Sequence, residues 1–96
     1  MVFFAEESLK KIGASLTASF INNIIKDKDI ILLEDNCESM GATFNDKKTG
    51  TIGVMGTFSS FYSHHISTME GGTIVTDDEE LHQILISLRS HGWTRD

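Results

Sequence analysis

Two neighbouring imidazoles, His64 and His65, lie in a stretch dense in polar side chains. From Thr57 to Gly72 the chain reads Thr57-Phe58-Ser59-Ser60-Phe61-Tyr62-Ser63-His64-His65-Ile66-Ser67-Thr68-Met69-Glu70-Gly71-Gly72. Buried polar groups need partners, so this is poor core material. It suits a loop that meets a ligand. Imidazole titrates near about 6.5 when unperturbed, so such a loop offers acid–base chemistry close to neutral pH. A carboxylate is prepared upstream. Ile30-Ile31-Leu32-Leu33 is a run of four apolar residues that fits a strand buried on both faces, and Glu34-Asp35 follow it. Open parallel sheets bind ligands beyond the carboxyl ends of their strands, which gives the position of Asp35 its interest.

Each of these residues has a plainer reading. Asp35 could cap a turn, and adjacent histidines are commonly surface or core residues. Neighbouring side chains in an extended loop diverge, and no third ligand has suitable spacing, so no metal site is expected. Gly50, Gly53 and Gly56 do not make a dinucleotide fingerprint. Gly71-Gly72 reads as a turn into the next strand. Cys37 reads as a small buried apolar residue rather than a nucleophile. Arg89, Trp93 and Arg95 fit helix-end packing, and Glu79 and Glu80 a solvated helix face.

The elements that must position these groups are legible as an α/β pattern. A helix is expected from about Ala18 to Lys28, with Phe20, Ile21, Ile24 and Ile25 on its apolar face and Thr17 or Ser19 as its cap. After the Ile30–Leu33 strand, residues 42–50 read as a hairpin with a polar tip at Asn45-Asp46-Lys47-Lys48. Strands are expected over Gly56–Tyr62 and Gly72–Thr76. A second helix is expected from about Asp78 to Ser90. Its apolar face is Leu81, Ile84, Leu85 and Leu88, its start a capping box from Thr76 or Asp77, and its stop Gly92.

Bulk composition narrows the function classes. The chain has 96 residues, enough for one small domain with a modest core. Its net charge is −6 with only eight Lys and Arg, so it carries no basic footprint for nucleic acid. One cysteine cannot form an internal disulfide, which points to a reducing, cytoplasmic setting. The apolar run near the N-terminus is too short for a signal peptide or a membrane span. The ending Trp93-Thr94-Arg95-Asp96 follows directly on a helical pattern and reads as a truncation.

Taken in order, three groups of residues form a familiar series. They are Glu34-Asp35-Asn36-Cys37-Glu38-Ser39-Met40-Gly41-Ala42-Thr43-Phe44, then Gly50-Thr51-Ile52-Gly53, then Phe58-Ser59 with His64-His65 and Glu70-Gly71-Gly72. The series resembles the DegT/StrS family of pyridoxal-phosphate-dependent nucleotide-sugar aminotransferases and dehydratases. Val75-Thr76-Asp77-Asp78-Glu79-Glu80-Leu81 and Leu88-Arg89-Ser90-His91-Gly92 also fit, so the resemblance covers about residues 30 to 95. Residues 1 to 15 match no motif. The resemblance implies an α/β fold, a fragment of the aspartate-aminotransferase-like large domain, with residues 1–96 forming one partial domain from its centre.

Site roles follow from the same resemblance. Asp35 would face the pyridine nitrogen of pyridoxal or pyridoxamine phosphate and keep it protonated, which makes the ring an electron sink. Glu38 stands where most of the family's aminotransferases have Gln, close to the cofactor ring. Ser59 would hold the cofactor phosphate. His64 lies five residues after Ser59, at the position of the family's Schiff-base lysine, and no lysine follows Lys48. The family's 3-dehydratase branch has His-His here and holds its cofactor without a covalent tether. Either His64 or His65 would be the base, with ungapped alignment favouring His64. Ser63 and Met69 depart from the usual dehydratase pattern, which has Pro after the Tyr and Gly before the Glu.

The implied function is 3-dehydration of a nucleotide-linked 4-keto-6-deoxy sugar, a step serving lipopolysaccharide O-antigen and related glycan synthesis. The implied full-length protein is a homodimer with no nucleic-acid or membrane partner. Two alternatives stand beside it: a sugar aminotransferase of the same family, and a truncated, catalytically inactive remnant or pairing module. The 96-residue chain alone is expected to be inactive.

Overall fold

The computed structural model describes residues 2–5 and 11–94. The chain begins with strand β1 (Val2–Ala5), then helix α1 (Lys11–Ile25), then strand β2 (Ile31–Asp35). β2 lies parallel to β1, so α1 is the crossover of a βαβ unit. Residues 36–54 carry a small hairpin, β3 (Thr43–Phe44) and β4 (Lys47–Lys48), before strand β5 (Met55–Ser59) adds parallel to β2. Strand β6 (Gly72–Val75) pairs antiparallel with β5 and closes a four-stranded sheet in the order β1-β2-β5-β6. Helix α2 (Glu79–Arg89) follows. No helix among the described residues is long and apolar enough to cross a membrane.

The sheet is covered unevenly. Partnered residues share a face, and side chains alternate along each strand. Leu32, Glu34, Gly56, Phe58 and Val75 therefore share one face; Ile31, Leu33, Asp35, Thr57, Ser59 and Ile74 share the other. The first face is packed. Among the described residues its core is Ala18 and Ile25 of α1, Leu32 of β2, and Ala42. Residues 50–53 press so closely on it that a Cβ on Gly56 would lie 2.4 Å from the Gly50 Cα, and one on Gly53 2.5 Å from the Leu32 carbonyl oxygen. The second face is open: Ile31 and Ile74 are each 49% exposed. β2 is thus not buried on both faces as its apolar run suggests, because α1 and the 36–53 segment pack on the same side.

Other boundaries move for identifiable reasons. α1 starts at Lys11, so neither Thr17 nor Ser19 caps it. Among its residues whose burial is described, Ala18 and Ile25 are buried, while Phe20 and Ile24 face outward at 64% and 52% exposure. β2 runs on through Glu34 and Asp35 because both extend the parallel ladder, Asp35 opposite Thr57. The β3–β4 hairpin turns on Asn45 and Asp46, both with positive φ, the conformation that a two-residue turn matching strand twist demands. The cap of α2 is Asp78, whose carboxylate accepts the Leu81 N–H at 2.9 Å, not Thr76 or Asp77. α2 ends in a Schellman motif, with Gly92 N–H on the Ser87 carbonyl and His91 N–H on that of Leu88. His91, at φ 60°, takes the left-handed position that glycine usually fills, one residue before Gly92.

Candidate active site

β2 and β5 run parallel, so their carboxyl ends leave the sheet along the same edge. β2 ends in Asp35 and continues into the turn that carries Glu38. β5 ends in Ser59 and continues into the loop that carries His64 and His65. The topology therefore brings residues some thirty positions apart to one edge.

On the open face Asp35 is directly opposite Thr57, and Ser59 lies two residues further along β5. At about 3.3 Å per residue that places Ser59 roughly 7 Å beyond Thr57. The Asp35 Oδ1 accepts the Cys37 N–H at 3.3 Å and the Thr57 hydroxyl at 3.5 Å. Its Oδ2 takes no hydrogen bond from any described residue, which leaves one carboxylate oxygen for a cationic N–H. Ser59 Oγ accepts the Phe61 N–H at 3.2 Å and gives its own proton to no described residue. Burial first, and then the adjacent Asp35 carboxylate, push the Cys37 thiol above its usual value, which keeps it a thiol and suits a packing role.

The histidine loop is pinned at its base. Ser60 N–H reaches the Gly71 carbonyl at 3.0 Å, Thr68 N–H the Ser60 carbonyl at 2.8 Å, and the two hydroxyls of Ser60 and Thr68 lie 2.8 Å apart. Gly71 is required here, since a Cβ would sit 2.6 Å from Ser60 Oγ. Within the loop the His64 N–H bonds the Phe61 carbonyl at 2.9 Å. The His64 side chain is 15% exposed, and its Nδ1 lies 3.4 Å from Glu38 Oε1. That approach lacks hydrogen-bond geometry, so Nδ1 is buried without a partner. His65, by contrast, is exposed.

Glu38 thus faces His64, and Asp35 and Ser59 share the open sheet face from whose strand ends the two loops leave. The groove of about 330 Å³ lined by Met40, Gly41, Lys48, Thr49, Phe58 and Thr73 includes none of these residues. No three His, Cys, Asp or Glu side chains among the described residues cluster as a metal site would require.

Two features of the site escape the sequence reading. Thr57 belongs to the open face with Asp35 and Ser59, which the two-residue period of β5 encodes. Glu34 is the second. Only 1% exposed, it points away from the site and binds the loop N–H groups of Gly50, Ile52 and Gly53 at 2.8, 2.8 and 2.7 Å. An acid inside an apolar strand, followed by a glycine-bounded Gly50-Thr51-Ile52-Gly53 segment, is the signal for that clamp. Asn36, Ser39 and Thr49 complete it: Ser39 donates to Asn36 Oδ1 at 2.9 Å, and Thr49 donates to the Ser39 carbonyl at 2.9 Å.

Comparison with known proteins extends the picture. The profile of the DegT/DnrJ/EryC1/StrS aminotransferase family matches residues 10–96. GDP-4-keto-6-deoxy-D-mannose 3-dehydratase of Escherichia coli O55:H7 is 76% identical over 75 residues, 78% of this chain and 19% of that protein. A solved structure of the E. coli 3-dehydratase with bound hydrated PLP superposes at a TM-score of 0.74 and 73% identity, over 80% of this chain and 20% of that one. A form of the same kind of enzyme, ColD, substituted at a histidine and at the serine directly before it, superposes at 0.75 and 70% identity, over 81% and 21%. The chain therefore spans about a fifth of the length of the relatives it matches.

Proposed function

This chain belongs to the DegT/DnrJ/EryC1/StrS aminotransferase family, and from that premise we propose that it is the central part of the large domain of a 3-dehydratase for a GDP-linked 4-keto-6-deoxy sugar. The cofactor would be pyridoxal or pyridoxamine phosphate, as bound in the E. coli relative. One arrangement carries the reading. Asp35 and Ser59 share an open sheet face at the ends of parallel strands, and the loop that leaves that edge carries His64 and His65 and no lysine.

When bound, the cofactor supplies an electron-accepting ring that stabilises negative charge at the neighbouring carbon. Asp35 would hold the ring nitrogen's proton with its free Oδ2, and Thr57 and the Cys37 N–H fix its other oxygen. Ser59 would donate its unengaged hydroxyl to the phosphate. His64 would move the proton, since imidazole both takes and returns one near neutral pH. His64 is favoured over His65 on two counts. It is the more buried, and it follows Ser63 directly, as the substituted histidine of ColD follows a serine. The transaminase alternative needs an amine at this place, and no lysine follows Lys48.

The open face also bears on the inactive-remnant alternative. With Ile31 and Ile74 half exposed, the described residues leave the sheet face that carries Asp35 partly open to solvent. The whole protein, acting as a homodimer in the cytoplasm, would complete the site.

The test is a graft in which the aligned residues of this chain replace their counterparts in the E. coli relative. Supplied with the cofactor, glutamate and GDP-4-keto-6-deoxymannose, the graft is expected to release a 3-deoxy sugar, seen by NMR as a new methylene. The isolated 96-residue chain is expected to release none. A graft that yields a 4-amino sugar instead contradicts the proposal.

A further inference from the structure

The buried Nδ1 of His64 is the one described side-chain nitrogen or oxygen that is enclosed and unpartnered. It faces Glu38 Oε1 at 3.4 Å. A neutral imidazole carries its proton on one nitrogen and a lone pair on the other. A lone pair on Nδ1 would be buried against a carboxylate, which is repulsive. A proton on Nδ1 meets an acceptor, and Glu38, 55% exposed, is free to close the remaining gap. Among the described residues nothing bonds to Nε2. The pinned loop, with His64 N–H on the Phe61 carbonyl and the Ser60–Thr68 contact at its base, fixes the backbone that carries the ring, and the Phe61 ring meets the imidazole edge-on at 6.1 Å between centroids.

We propose that Glu38 is a positioning residue that fixes His64 as the Nδ1–H tautomer, so that Nε2 is the nitrogen presented as base. This deepens the dehydratase reading and rests on it for its kinetic consequence. It also gives the acid at position 38 a role directed at the histidine rather than at the cofactor ring. A base locked in the wrong tautomer presents an N–H where a lone pair is needed, and turnover falls accordingly.

Two measurements test it. The first is a long-range proton–nitrogen spectrum of the graft with labelled histidine, in which His64 is identified by its loss in His64→Asn. The Nδ1–H pattern is expected; an Nε2–H pattern, or the mixture of a free imidazole, overturns the proposal without any variant at position 38. The second is kinetics of the graft. Glu38→Leu keeps bulk but offers no acceptor, and is expected to lower kcat at least about tenfold with the KM for the sugar little changed. Glu38→Gln keeps an acceptor oxygen and is expected to fall between Leu and the parent. Equal kcat in all three overturns the pairing while leaving the dehydratase reading intact. An Nδ1–H spectrum in a graft that does not dehydrate sinks the reaction assignment and leaves the pairing standing.

Discussion

Replacing His64 by asparagine in the graft is expected to lower the rate of 3-dehydration by about 10²–10⁴-fold, the usual worth of a positioned general acid–base group. Asparagine keeps much of the ring's polar volume and can still meet Glu38, but it cannot accept and return a proton. Cofactor affinity, read from its absorbance, should change little, because Asp35 and Ser59 are untouched. The companion change, His65→Asn, should stay within about threefold, well below that range. The difference follows from placement: His64 is 15% exposed against Glu38, and His65 is open to solvent. A large loss at His65 with little at His64 would reverse the assignment.

The second large effect concerns stability. Glu34 is 1% exposed, and its two oxygens accept three backbone N–H groups from Gly50, Ile52 and Gly53. These are short bonds to a carboxylate, roughly twice as strong as neutral ones. They tie the 50–53 segment to the packed face of β2, and the same segment sits against Gly56 and Phe58 of β5. Glu34→Gln cannot satisfy all three donors. Either amide orientation points an NH₂ at a backbone N–H, and the milder one sacrifices the Gly50 bond. That should cost about 1–3 kcal/mol. Glu34→Leu strands all three donors, each at about 1–3 kcal/mol, and should cost at least about 3 kcal/mol. Urea denaturation of the grafted enzyme reads both. A shift in either variant below about 0.5 kcal/mol, the scale of an ordinary surface change, would contradict the clamp.

What the sequence discloses follows from what its patterns can encode. The Ile30–Leu33 run locates the central strand and Asp35 at its end, because apolar β-branched runs have few other uses. It does not disclose that one face stays bare, since that depends on which side α1 and the 36–53 segment take. Glu34 reads as a second strand-end acid, but its partners are backbone amides sixteen to nineteen residues away, invisible to any side-chain pattern. α1 is underestimated because Gly13, Ser15 and Thr17 dilute its helical signal, although the helix runs through all three. Its outward Phe20 and Ile24 show that an apolar spacing names a face without naming its neighbour. The proximity of Glu38 and His64 is likewise a product of topology, two loops leaving parallel strands at one edge.

Borohydride reduction of the grafted enzyme loaded with pyridoxal phosphate, followed by mass spectrometry of the intact chain, probes most directly whether this site grips its cofactor by shape and charge alone. The protein mass should stay that of the bare polypeptide, because position 64 offers imidazole in place of a primary amine. A stable added mass of reduced cofactor would mean that some lysine tethers it, and the untethered histidine site would be wrong.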